Sequence, residues 1–248
     1  HFKTDSGMGR WGTLAGQTVT EVIKSAAVPG VQISGMYSHF ASAETDAAFT
    51  TLQAERFASA VTAVRAHGIA IGMAHIANSA AILTRSDVFW NAVRPGIILY
   101  GYPPVPAQDC PVRPILSLRS TVDMVRDLPE GYSVGYGRTF VTPRPMRMAL
   151  IPVGYADGYL RGLSNKAHVI IRGRYAPVVG RISMDVFSAD VTDIPGTTAG
   201  DPVTLIGEQD GLTVSAEDLA ILLNTISYEV LTGITRRVPR VYRDASGK

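Results

Sequence analysis

The sequence predicts an α/β architecture that gives way near residue 103 to a mainly β one. Three observations predict it. Before that point short apolar runs alternate with helical stretches; the proline-rich stretch GYPPVPAQDCPVRP (101–114) then interrupts the pattern; and short β-signals separated by turn residues follow it.

Taken in order, His1 to Thr4 read as the end of a strand and Asp5 to Gly9 as the polar, glycine-rich turn after it. VQISGMYSHF (31–40) and IAIGMAH (69–75) read as strands, with the long helical stretch 45–68 between them. In that stretch Phe49, Leu52, Phe57, Val61 and Val64 approximate one helical face, and Gly68 is a stop. NSAAILTR (78–85) begins a further helix, and GIILY (96–100) reads as a strand. Such alternation implies a parallel sheet, since parallel neighbours need a crossover connection.

Four strand signals, near 2–4, 32–39, 69–74 and 96–100, are half of what a (β/α)8 barrel requires. The fold expected is therefore the C-terminal half of a (β/α)8 TIM-type barrel, residues 1–103, a linker at 104–113, and a mainly β C-terminal domain, 114–248. Barrel enzymes build their sites on the rim that follows the strands. That rim would carry Arg10, His39, His75 with Asn78 and Ser79, and Arg94 to Ile97.

Beyond the linker, LSLRSTVDMV, RMALIPV, HVIIRG, APVVG, VFSADVT and PVTLIG supply the β-signals, and a helix is predicted from 214–215 with Ser215 as its cap and Asp218 close behind. Three stretches stand out here. GYADGY presents Tyr155 in a tight, glycine-flanked turn; VVGRISMDVFS places Met184 and Asp185 inside a strand-like run; and NTISYEVLTGITRRVPRVY sets Tyr228 early in a helix.

Composition narrows the function. With 248 residues and 46% apolar content the chain can bury a sizeable core, while 23 basic residues scattered against 21 acidic ones leave a net charge of only +2. No basic stripe suits a nucleic acid. The one cysteine, Cys110, excludes an internal disulfide or a thiolate zinc cluster and fits a reducing cytoplasm. No apolar run approaches the roughly 20 residues that cross a bilayer.

HFKTDSGMGRWG, SHFASAE, HIANSAA, VRPGIILYGYPP, SVGYGRTF, PVGYADGYLRGLSN, GRISMD and TISYEVLTGITRRVPRVY, in this order and across essentially the whole chain, resemble the alanine racemase family. The resemblance implies a cytoplasmic homodimer that uses pyridoxal 5′-phosphate (PLP) to interconvert L- and D-alanine for cell-wall precursors, with sites shared between subunits. It implies that Tyr155 is one of two proton carriers, that His39 hydrogen-bonds it, and that Arg94 donates to the cofactor's pyridine nitrogen. Asn78, the Ser79 hydroxyl, the Gly96 and Ile97 amides and the Tyr228 phenol would hold the cofactor, chiefly at its phosphate. Arg10 would lie near the cofactor's phenolic oxygen and the substrate. The Met184 amide, with Asp185 beside it, would meet the substrate carboxylate, and Lys3 would be carbamylated to hold Arg10.

The family's second proton carrier is the lysine that binds PLP as a Schiff base, in a stretch ahead of the part matched by His1. The four lysines here are Lys3, Lys24, Lys166 and Lys248, of which only Lys3 lies on a strand. The expectation is that the chain by itself does not racemise alanine. Two other readings stay open, a PLP decarboxylase of related architecture and a PLP-binding module without catalysis.

Overall fold

The computed structural model describes residues 1–104, 110 and 112–243. Most of the predicted linker, 105–109 and 111, and Lys248 lie outside the described residues. The chain divides into two compact units, His1–Arg113 and Pro114–Lys248.

In the first unit, β1 (Phe2–Asp5), β2 (Thr13–Leu14), β3 (Gly35–Tyr37) and β4 (Met73–His75) form a parallel sheet in the order β2-β1-β3-β4. The helices α1 (Thr18–Ala26), α2 (Ala47–Ala66) and α3 (Ser79–Thr84) follow β2, β3 and β4 in turn. The sheet is the expected half-barrel. Its core joins Met36 and Phe40 to Phe57, Val61 and Val64 of α2 and to Ile76.

α2 starts because the Asp46 carboxylate accepts the Phe49 N–H at 2.8 Å, and it ends before Gly68, whose φ of +79° suits glycine. Its buried face runs through Thr50, Gln53, Phe57, Ala60, Val61 and Val64. Leu52 instead is 39% exposed. The polar Gln53 takes the inward position because it completes backbone hydrogen bonds: its Oε1 accepts from Ala41 N at 2.9 Å and its Nε2 donates to His39 O at 3.2 Å.

GIILY does not form the predicted strand. Ile97–Tyr100 is a turn of 3-10 helix, entered from Gly96 and left through Gly101 at φ +82°. Ile97 is buried, whereas Leu99 and Tyr100 are 61% and 42% exposed. Periodicity cannot separate a five-residue apolar run into strand or helix, and here Leu99 N bonds Gly96 O within the run at 3.0 Å while Ile98 N reaches the distant Ser79 Oγ at 3.4 Å.

The second unit is antiparallel. Its strands are β5 (Leu118–Thr121), β6 (Met124–Leu128), β7 (Ser133–Val134), β8 (Phe140–Val141), β9 (Met146–Ile151), β10 (His168–Ile171), β11 (Arg174–Val179), β12 (Phe187–Asp190), β13 (Pro202–Gln209) and β14 (Leu212–Val214). The main sheet runs β14-β13-β10-β11-β12-β9-β6, β5 also pairs with β13, and β7 pairs with β8. β12 alternates, with Phe187 and Ala189 buried, whereas β10 buries Val169, Ile170 and Ile171 in succession because both of its faces are covered.

Two helices close the unit, α4 (Ala216–Leu223) and α5 (Ser227–Gly233). α4 begins where expected: Ser215 Oγ accepts from Asp218 N at 3.0 Å, and the Asp218 carboxylate accepts from Ser215 N at 2.8 Å. Met184 and Asp185 are not inside a strand. They occupy a bend ahead of β12, because Ser183 N donates to Val186 O at 2.9 Å and closes a turn in place of a ladder.

Candidate functional site

Strand register assembles the first half of the site. Lys3 on β1 lies opposite Tyr37 on β3, and Tyr37 opposite His75 on β4. Register partners project from one face of a pleated sheet, so the three side chains form a row. The Tyr37 ring stacks on the His75 imidazole at 5.3 Å, and Lys3 Nζ lies 5.9 Å from its centroid.

Arg94 completes the row. Its guanidinium carbon is 4.6 Å from the Tyr37 centroid, and Nη1 lies 3.1 Å from His75 Nδ1. A guanidinium only donates, so His75 Nδ1 is the acceptor, the ring proton sits on Nε2, and Nε2 donates to His1 Nδ1 at 3.1 Å. His75 is thereby assigned as neutral. Burial, and then the Arg94 charge, hold its pKa below the ordinary value.

His39 follows β3 by two residues, and its carbonyl is held by Gln53. Burial, reinforced by the charges of Arg94, Arg10 and Lys3, lowers its pKa to about 4. His39 Nδ1 and Arg94 Nε are buried without a hydrogen-bond partner. Both residues line an open cleft of about 460 Å³, together with Met73, His75, Val93 and Gly96.

Lys3 has a weakened hold on its proton, through burial first and then the neighbouring Arg10, with Asp5 opposing and Arg94 adding the smallest contribution. Three cations around a neutral histidine favour an anionic ligand.

The β4–α3 connection brings further predicted residues together. Asn78 caps α3, its side chain accepting from Ala81 N at 3.0 Å, so that oxygen is committed within the protein. Ser79 Oγ accepts from Gly96 N at 2.8 Å. This joins the predicted serine to the amide at the start of the Ile97 turn.

In the second unit the Tyr155 turn and the Met184 bend are bound to each other. Tyr155 N donates to Ser183 O and Ala156 N to Met184 O, each at 3.0 Å. A side-chain clamp reinforces this pairing. Asp157 Oδ2 accepts from Gly154 N at 2.9 Å, its Oδ1 meets Arg237 Nε at 3.3 Å, and Arg237 Nη2 meets Asp185 Oδ1 at 2.6 Å. Tyr155 is 39% exposed and Met184 52%. Tyr159, the second tyrosine of GYADGY, is core, its ring tilted by 33° against Phe187 with the centroids 4.9 Å apart. Tyr228 lies in the first turn of α5.

Motif reading passed over one phenol. Tyr136 is 72% exposed, in a 3-10 turn between Gly135 at φ +71° and Gly137 at φ +70°. The turn passes close to the Arg181 backbone, where a Cβ at Gly135 would stand 3.1 Å from Arg181 N. The available signal was SVGYGRTF itself, a tyrosine set directly between two glycines, where GYADGY places one only before each of its tyrosines.

Among the described residues no group of three or more His, Cys, Asp or Glu is placed to hold a metal ion. Among them, too, no helix is long and apolar enough to cross a membrane.

Comparison with known proteins agrees in both units. Residues 1–104 match the model of the alanine racemase N-terminal domain, and residues 115–242 that of the alanine racemase C-terminal domain. Alanine racemase 2 of Caldanaerobacter subterraneus subsp. tengcongensis is 42% identical over 251 residues, a match that covers 98% of this chain and 63% of the relative. The chain thus spans a little under two thirds of that relative's length. Among solved structures, the alanine racemase from D-cycloserine-producing Streptomyces lavendulae aligns with a TM-score of 0.91 at 35% identity, covering 98% of this chain and 66% of that one. The alanine racemase of Bartonella henselae, solved with covalently bound pyridoxal phosphate, aligns at 0.85 with 32% identity, covering 97% and 65%. The fold of these neighbours, a TIM barrel with a β-rich C-terminal domain, is the one whose parts are seen here. With matches in the same order over both units, the chain belongs to the alanine racemase family.

Proposed function

We propose that this chain serves in the PLP-dependent interconversion of L- and D-alanine, in a cytoplasmic homodimer whose sites draw residues from both subunits and supply D-alanine to peptidoglycan. One observation carries the reading: His39 Nδ1 and Arg94 Nε are buried, unpartnered and on residues lining one cleft. Such atoms are costly unless a ligand completes them. The residues fit the cofactor. Arg94 Nε offers an N–H to a pyridine nitrogen, and because a guanidinium keeps its proton, that nitrogen stays neutral. Ser79 with the Gly96 and Ile97 amides, joined by Asn78 and the Tyr228 phenol, would hold the phosphate. Arg10, braced by a carbamylated Lys3, would meet the phenolic oxygen and the substrate carboxylate, with the Met184 amide and Asp185 on the other side. Bound there, PLP supplies the electron sink that acidifies the α-proton of an amino acid.

The chain's own task is then to carry that proton on one face. Tyr155 is the tyrosine assigned to this step from the motif. Tyr136 is a second reading, favoured by its 72% exposure on a turn seated against Arg181, because a phenol that must enter another subunit's cleft has to stand clear of its own unit. His39, neutral near pH 7, would serve that phenol as a hydrogen-bond partner, while the phenol itself carries the proton.

The test is α-deuterium exchange from each enantiomer in the racemising holoenzyme bearing Tyr136→Phe or Tyr155→Phe. Removing the proton carrier should slow exchange from one enantiomer by about 10²–10⁴ and spare the other. Unchanged rates in both variants and in both directions would end the two-carrier reading.

A further inference from the structure

Asp5, the last residue of β1, is 6% exposed and bears a carboxylate that no motif assignment uses. Its Oδ1 accepts from Gly7 N at 2.9 Å, Met8 N at 2.8 Å and Gly9 N at 3.3 Å, while Oδ2 accepts from Arg10 N at 3.1 Å. A loop can turn successive amides onto one carboxylate only by leaving ordinary backbone conformations, and Gly7 at φ +140° and Gly9 at φ +67° do so. The loop is also tied at its start, where Ser6 Oγ lies 2.8 Å from Ser38 Oγ and Arg56 Nη1 donates to Ser6 O at 3.2 Å. Arg10 is the last residue so bound.

We propose that Asp5 is a positioning residue for Arg10, its carboxylate closing the loop and so fixing where the guanidinium is presented. The functional part rests on the reading that Arg10 meets the substrate. The division of labour between the two oxygens is what makes the inference specific. Burial alone would raise the Asp5 pKa, yet the four amides outweigh it and hold the group below the ordinary carboxylate value, so both oxygens remain acceptors at neutral pH.

Asp5→Asn separates the two oxygens. Its Oδ1 can keep the Gly7, Met8 and Gly9 amides, but its Nδ2 then faces the Arg10 N–H, donor against donor. Amide hydrogen exchange on this chain should show Arg10 faster by about tenfold or more, with Gly7 to Gly9 unchanged. Exchange of Arg10 at the native rate, or equal acceleration of all four amides, overturns the inference. Should Asp5→Asn fail to fold, Gly9→Ala reads the same loop: its Cβ meets nothing within 4 Å, so only backbone strain opposes it. There, too, Arg10 must exchange faster, and a native rate counts against the proposal. In the holoenzyme, KM for alanine should rise about tenfold in Asp5→Asn, in the direction of Arg10→Lys, with kcat little changed. If Arg10→Lys leaves KM unaltered, the assignment of Arg10 to substrate fails, while the exchange result still decides the role of Asp5. If Arg10→Lys raises KM and Asp5→Asn does not, the positioning role fails instead.

Discussion

His39 shows how one residue's environment sets its chemistry. Arg94, Arg10 and Lys3 surround it with positive charge, Gln53 of α2 holds its carbonyl, and burial removes the water that would stabilise an imidazolium. Its folded pKa of about 4 lies below the unfolded value of 6.5. Between those limits the unfolded chain binds more protons, so the stability that His39 contributes is complete above pH 6.5 and is lost as the pH falls through 4. His75, also lowered, acts in the same sense. His39→Gln should therefore flatten the fall of the unfolding free energy between pH 6.5 and 4, measured by urea titration at each pH. Parallel profiles for the two proteins would contradict the assigned environment.

At the scale of elements, the Tyr155 turn depends on a glycine. A Cβ at Gly154 would fall inside the Met184 carbonyl, so the two segments can share the hydrogen bonds from Tyr155 and Ala156 only because residue 154 has no side chain. Gly154→Ala should cost about 2–4 kcal/mol, read by denaturant unfolding. It should also loosen the Arg237 bridge between Asp157 and Asp185. A variant as stable as the parent would mean that the contact is not maintained in solution. The same scale shows what local sequence conveys well. The cap at Ser215 was legible because capping is settled within three or four residues. The state of GIILY was not legible, since its amides had two sets of acceptors available and only the position of Ser79 chose between them. Met184 and Asp185 fall in the same class: strand-like by composition, they bend because Ala156 and Arg237 supply partners from elsewhere in the unit.

At the scale of the whole molecule, each unit rests on its own core. In the first, Phe57 is fully buried and meets Trp90 edge-on with ring centroids 5.6 Å apart. Phe57→Ala should destabilise this unit by about 3–5 kcal/mol, followed by tryptophan fluorescence. Both tryptophans lie in this unit, and Trp11 is already 81% exposed, so the change on unfolding should come mainly from Trp90. A shift below about 1 kcal/mol would show that the site is not packed as described. The sequence by itself determined the alternation of strand and helix, the cap at Ser215, the mainly β character beyond the proline-rich stretch and the ordered motifs of the family. All of these are carried by residues near one another in the chain. Tertiary structure alone decided that Lys3, Tyr37, His75 and Arg94 form one cluster, that Gln53 rather than Leu52 faces inward, and that Tyr136 stands more exposed than Tyr155. Those outcomes depend on which distant groups complete a buried hydrogen bond or neutralise a buried charge, and such partners are chosen only when the chain has folded.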